Sequence, residues 1–376
     1  MLETQILNDI DSKIKRILLK PFESEDLTSE DAFELLKVTG KELFALQKIA
    51  DQICFEKKKN IVTFVINRNI NFTNICYQGC KFCSFSVPKT DDDSFLLSIE
   101  EIRKKVIELK ECGCTEVCIQ GGINPDLTFD YYLDILRAVK EIDPEIHIHA
   151  FSPQEIYYMS KLADTNIKDT LYELKKTGLD SIPGTAAEIL VDRIRRIICP
   201  NKVSVSQWIE IISTAHNIGI PTTSTIMYGH IEDLNDRVKH LEVLRNIQKE
   251  TMGFTEFVLL PFIKEKPILS RLENYPLKPS YGVDDLRLFS VARIYFNNYI
   301  DNIQTSWVKL GPKFAQVSLN YGANDFSGTL MEENISRSAG AEFGQYLSPE
   351  EIVKIIKSAG KQPAERDTLY NILRYY

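Results

Sequence analysis

No apolar run in the 376-residue sequence approaches the roughly 20 residues that a helix needs to cross a bilayer. A surplus of positive charge is also missing: 45 Lys and Arg stand against 53 Asp and Glu, for a net charge of −8. Nucleic acid and anionic membranes attract basic patches, so neither is expected as a partner. The opening stretch from Met1 to Ile10 lacks the basic-then-apolar layout of a signal peptide, which predicts a cytoplasmic protein. In that compartment the eight cysteines are expected to bind metal, act in catalysis or lie buried rather than pair as disulfides. No Pro/Gly-rich linker and no low-complexity tract divides the chain.

What is present is a loop that concentrates three of those cysteines. Cys76, Cys80 and Cys83 are separated by three and then two residues and follow the apolar run Ile61 to Ile66, which reads as a buried strand. Soft thiolate ligands select zinc, copper(I) or iron–sulfur clusters. A structural zinc site or an electron-transfer cluster wants four protein ligands, and no fourth lies nearby. His147 is far along the chain, and Cys112, Cys114 and Cys118 belong to another element and are expected as buried thiols, as is Cys199. A cluster held by three cysteines leaves one iron without a protein ligand, which is the open position a catalytic centre needs.

The rest of the chain supplies a frame for that loop. Residues 1–60 read as an N-terminal helical cap, with Ile6, Ile10, Ile14 and Leu18 at helical spacing and a capping box from Thr28 to Asp31. From 61 to 330, short apolar runs alternate with longer amphipathic segments, the pattern of repeated βα units around a parallel sheet. Strands are expected at Ile61–Ile66, Glu116–Gln120, Ile146–Ala150, Asp180–Ile182, Thr222–Met227, Thr255–Leu260, Ile303–Ser306 and Ala323–Phe326. Ser98 to Glu101 and Ser204 to Gln207 open helices. Eight units predict an α/β fold of the (β/α)8 TIM-barrel type. A doubly wound sheet alternates in the same way, but its dinucleotide fingerprint after the first strand is absent. Residues 331–376 are expected as a C-terminal helical extension, with Ser348 to Glu351 as a helix start and Ile352, Ile355 and Ile356 as the buried stripe.

Active sites of such barrels lie at the C-terminal ends of the strands. Those ends carry the cysteine loop, Gly121 and Gly122, His149, Pro183 to Glu188, Tyr228 to His230, Phe262 and Trp307. Three cysteines so spaced after the first strand, Phe82 before the last of them, and the glycine pair after the second strand together resemble the radical S-adenosylmethionine superfamily. The resemblance implies one 4Fe–4S cluster on Cys76, Cys80 and Cys83, with its open iron chelated by S-adenosylmethionine. It also implies Phe82 beside the adenine, Gly121 and Gly122 near the methionine end, and Glu188 near the ribose or amino group.

Further stretches narrow it. Asn69 to Cys76, His147 to Glu155, Gly178 to Glu188, Tyr228 to Glu232, Phe254 to Phe257 and Gly328 to Ala341 are similar to the branch that holds the deazaflavin-synthase subunits and the futalosine-pathway enzymes. Within it they look most like the tyrosine-using subunit of deazaflavin synthase. The resemblance implies hydrogen abstraction from L-tyrosine by a 5'-deoxyadenosyl radical, Cα–Cβ cleavage, and joining of the 4-hydroxybenzyl fragment to C5 of 5-amino-6-(D-ribitylamino)uracil. A single three-cysteine motif implies a separate radical SAM cyclase subunit of the CofG type, and an electron donor such as ferredoxin or flavodoxin. His149, His230 and Glu256 are candidates to bind substrate or move protons. Tyr228 and Trp307 are candidates to stack on the pyrimidine. The alternatives are a futalosine-pathway enzyme acting on a nucleoside derivative and a non-enzymatic iron–sulfur carrier.

Overall fold

A computed structural model describes residues 7–376; Ile6, the first residue of the N-terminal helical stripe, lies outside them. The N-terminal cap consists of helices Ser12–Leu19, Ser29–Leu35 and Gly40–Lys58. Thr28 and Asp31 form the expected capping box, each side chain bonding the other's backbone N–H. Leu46, Ile49 and Ile53 are buried along one face of the third helix, which packs against helix Gly282–Tyr295 on the outside of the sheet. Helices Ile99–Glu111 and Val205–Asn217 start on the expected boxes at Ser98 and Ser204. No helix of the described residues is long and apolar enough to cross a membrane.

The strands are β1 (Ile61–Val65), β2 (Asn67–Asn71), β3 (Glu116–Gln120), β4 (His147–Ala150), β5 (Thr222–Tyr228), β6 (Phe254–Pro261), β7 (Ile303–Thr305), β8 (Asp325–Gly328), β9 (Gln362–Arg366) and β10 (Ile372–Tyr375). They form two sheets, β2-β3-β4 and β10-β9-β1-β8-β7-β6-β5. The expected first strand is thus longer than its apolar run and breaks at Ile66, so that β1 pairs with β8 and β2 pairs with β3. The expected fourth strand is reduced to two single bridges, His149 to Ser181 and Ile182 to Thr222. Through the break at one side and these bridges at the other, eight parallel positions follow one another around the barrel. The last of them starts two residues later than the sequence suggests, at Asp325 rather than Ala323.

The tail contains the expected helix Pro349–Ser358, opened by the Ser348/Glu351 box with Ile352 and Ile356 buried and Ile355 partly so, and a shorter helix Asn334–Ala339, but it is not the helical extension expected over 331–376. Beyond them the chain turns back into the sheet. β9 pairs in parallel with β1, Thr63 facing Ala364, on the side where β3 would lie had the first strand been straight. β10 then adds antiparallel to β9. The bend at Ile66 frees the lower edge of β1, and the tail fills it, which satisfies backbone groups that would otherwise stand unpaired.

Candidate active site

A cavity of about 390 Å3 runs inside the barrel from the cysteine loop down to the tail strand β9. Cys76, Cys80 and Cys83 line it, all three as free thiols. Their loop is irregular but tied down from several sides. The Lys81 N–H donates to Ile198 O at 2.8 Å, the Leu269 N–H to Lys81 O at 2.8 Å, the Asn201 amide to Gln78 O at 3.0 Å and the Cys76 N–H to Val87 O at 3.2 Å. Gly79 takes φ +64, a left-handed turn that residues with a Cβ adopt only with strain.

Burial pushes the Cys80 and Cys83 thiols up, against the nearby Lys202 ammonium and, for Cys83, the N–H groups of Ser86 and Phe85. Thiols so placed become ligands only when a metal centre favours their ionised form. Three soft thiols on one stretch of cavity wall suit a cluster, each of whose irons takes one thiolate. The residues fit the expected group.

The glycine pair after β3 lines the cavity, but its lack of side chains answers to the protein itself. A Cβ on Gly121 would meet the Phe72 ring at 2.5 Å, and one on Gly122 would meet Ile75 O at 2.2 Å. Both glycines therefore let β3 press against the root of the cysteine loop. Gly122 donates to Thr73 O at 2.8 Å, and Gly121 donates to Glu155 Oε1 at 3.0 Å. Glu155 also takes the Ser152 N–H and hydroxyl, each at 2.6 Å, as the capping box of helix Pro153–Leu162. It lines the cavity, and burial raises it to about 7.

Phe82 and Glu188 also face the cavity, joined by Lys202. The Lys202 ammonium donates to Glu188 Oε1 at 2.7 Å and lies 5.2 Å from the Phe82 ring centre. Glu188 and Ala186 both hold positive φ, +46 and +57. The buried Arg195 pins this strained turn by donating to Ala186 O at 3.0 Å and Ala187 O at 2.5 Å.

Toward the floor stand His149 and Glu256. His149 Nδ1 and His147 Nε2 both contact the Ser181 hydroxyl at 2.7 Å. Burial lowers His149 to about 4, despite the nearby Glu116, so its imidazole is neutral. Glu256 accepts from Gln304 Nε2 at 2.8 Å and from the Tyr370 hydroxyl, and Arg366 lies 3.5 Å away. Burial raises it to about 7, with Arg366 pulling the other way.

His230 is different. It does not line the cavity and is fully buried; its Nδ1 accepts from the Ile231 N–H at 2.7 Å, and its Nε2 lies 3.1 Å from Met227 O. With both nitrogens spent on neighbouring backbone, His230 shapes the loop after β5 and has no access to a ligand. Tyr228 and Trp307 are likewise fully buried away from the cavity, Trp307 donating to Gly328 O at 2.9 Å. Cys118, expected as a buried thiol, in fact contributes to the wall. Residues that the pattern did not single out are Glu155, Lys202, Lys309, Glu333 and Arg366. Only Glu155 had a legible signal, its capping box.

The comparisons agree with this geometry. Residues 70–244 match the model of the radical SAM superfamily, and residues 251–375 match that of the CofH/MqnC C-terminal region. The chain is 53% identical to the 5-amino-6-(D-ribitylamino)uracil–L-tyrosine 4-hydroxyphenyl transferase of Archaeoglobus fulgidus, over 87% of this chain and 93% of the relative. It is 51% identical to the protein of the same name from Methanocaldococcus jannaschii, over 94% and 98%. Two solved structures share the fold. Methylornithine synthase aligns with TM-score 0.72 at 18% identity, over 94% of this chain and 97% of that one. The FeFe-hydrogenase maturase HydG of Carboxydothermus hydrogenoformans aligns with TM-score 0.73 at 17% identity, over 98% and 84%. The chain belongs to the radical SAM superfamily and, within it, to the family of the 5-amino-6-(D-ribitylamino)uracil–L-tyrosine 4-hydroxyphenyl transferases.

Proposed function

We propose that this protein joins the 4-hydroxybenzyl group of L-tyrosine to C5 of 5-amino-6-(D-ribitylamino)uracil. The observation that carries the reading is a single cavity with three thiols at one end and a polar floor at the other, in a chain about half identical to relatives bearing that name. When bound, a 4Fe–4S cluster and S-adenosylmethionine supply a 5'-deoxyadenosyl radical. Cys76, Cys80 and Cys83 would hold the cluster. Phe82 and Glu188, fixed by Lys202, would bind the cofactor, while Gly121 and Gly122 set the distance between β3 and the cysteine loop. His149 and Glu256 meet the substrates deeper in the barrel.

The protein's contribution is binding, orientation and exclusion of water. Residues 1–60 cap the outside of the barrel, 61–330 form it, and 331–376 close it. A separate cyclase then completes the ring, and a small electron-transfer protein such as ferredoxin or flavodoxin supplies the reductant. Eight free cysteines suit the reducing cytoplasm.

Anaerobically reconstituted protein with S-adenosylmethionine, reductant, tyrosine and the diaminouracil is expected to yield an adduct carrying the hydroxybenzyl mass. If tyrosine fails to stimulate 5'-deoxyadenosine formation while a futalosine compound does, the reading is wrong.

A further inference from the structure

Two lysines line the cavity, and they are treated differently. Lys202 is matched at 2.7 Å by Glu188. The ammonium of Lys309, on the short helix after β7, forms no ion pair and no hydrogen bond among the described residues. Glu333, Glu188 and Cys83 act on it only through space, and burial holds its ammonium below the ordinary lysine range. Lys309 is half-buried, and an ammonium drawn partly out of water without a partner is disfavoured. A protein that keeps one in a ligand cavity has left room for an anion.

Glu333, on the loop after β8, brings a carboxyl into the same cavity; burial raises it, with Lys309 and the Ser336 N–H pulling the other way. Its carboxylate caps helix Asn334–Ala339 by accepting the Ser336 N–H at 2.9 Å, which fixes its position. A fixed carboxylate after β8 and an unpaired ammonium after β7, not paired to each other, complement a ligand that carries both charges close together.

The diaminouracil has no carboxylate and cannot supply the anion. L-Tyrosine and S-adenosylmethionine both end in a zwitterionic α-amino-acid group. We infer that Lys309 and Glu333 form a receptor for the head of an α-amino acid, Lys309 taking the carboxylate and Glu333 the ammonium. On the reading above, on which this rests, the occupant is tyrosine.

The test compares wild type, K309M, K309R and E333Q, each checked for iron content and circular dichroism. Tyrosine is varied at saturating S-adenosylmethionine, the cofactor is varied without tyrosine, and tyrosine binding is measured by calorimetry. Loss of a charge-assisted hydrogen bond predicts a ten- to hundredfold weaker tyrosine affinity in K309M. K309R should retain most of it, and the cofactor's half-saturation should stay within about threefold. Tyramine, which lacks the carboxylate, should bind wild type and K309M alike. Unchanged tyrosine affinity in a K309M protein with normal iron content would overturn the inference. A shift in cofactor dependence alone would overturn the tyrosine assignment and give the receptor to S-adenosylmethionine. A wild type that tyrosine neither stimulates nor binds refutes the proposed substrate itself, a result separate from the behaviour of the variants.

Discussion

The two ends of the cavity are built from different kinds of chain. At the cysteine end the wall comes from short stretches, residues 76–86, 120–123 and 152–155, each local and tied down mainly through backbone N–H groups, with the Glu155 carboxyl taking those of Gly121 and Ser152. The floor is assembled from Asn67, Glu116, Glu256, Gln304 and Arg366, one residue apiece from five strands, and is held by side chains. Arg366 grips Asp325 with Nε at 2.6 Å and NH2 at 3.1 Å, Thr63 donates to the same carboxylate at 2.6 Å, and the guanidinium lies 3.9 Å from the Tyr370 ring centre. A local loop tolerates loss of distant parts. A floor made of single residues depends on every strand, including the last.

Breaking the cysteine end should give the largest effect on chemistry and little on folding. Replacing Cys80 with Ala is expected to abolish cluster assembly and cofactor cleavage, with the unfolding midpoint in urea nearly unchanged, since the thiol is partly exposed to the cavity. Gly122→Ala tests the same end through backbone. With Ile75 O only 2.2 Å from the new Cβ, the cysteine loop must move, and iron content should fall several-fold. A fully loaded G122A protein would show that the close approach of β3 does not set the loop.

Breaking the floor should do the reverse. Arg366→Met leaves Asp325 buried without its cation, a defect that costs about 3–5 kcal/mol, read as a lower urea midpoint. Cysteine loading should persist in the fraction that folds. Adding Asp325→Asn to it should recover part of the loss, because the uncompensated charge is gone. If R366M is as stable as wild type, the tail strand is an ornament rather than part of the barrel.

The same contrast explains what could be read in advance. The cysteine loop, the capping boxes at Ser98, Ser204 and Ser348, and most strands were legible because each is a local pattern of spacing or alternation. β9 was not. Its sequence, Gln-Pro-Ala-Glu-Arg, has no apolar alternation, and it is a strand because a buried ion pair and the freed edge of β1 hold it there. His230 misled for a related reason: position after a strand places a residue near the mouth but says nothing about which way its ring turns. Lys309 lay in no motif and Glu333 went unremarked within the Gly328 to Ala341 stretch; both became visible only as groups facing one cavity.

The finest test of the lower cavity uses two of its titrating groups, Glu256 and His149, whose signs oppose. Glu256 titrates near 7 in the folded protein and near 4.5 unfolded. As pH rises through that window the unfolded chain has lost its proton while the folded one keeps it, so stability falls with pH. His149 titrates at about 4 folded and 6.5 unfolded. Between those values the unfolded chain holds the extra proton, so stability rises with pH. His216 shares that sign, at about 4, and Glu155 shares the sign of Glu256. From pH 4.5 to 6.5 the slopes overlap and partly cancel in the wild type. Glu256→Gln should steepen the rise over this range and His149→Gln should flatten or invert it, both read from urea unfolding at fixed ionic strength. If the two variants shift the slope in the same direction, the barrel does not hold both a lowered imidazole and a raised carboxyl.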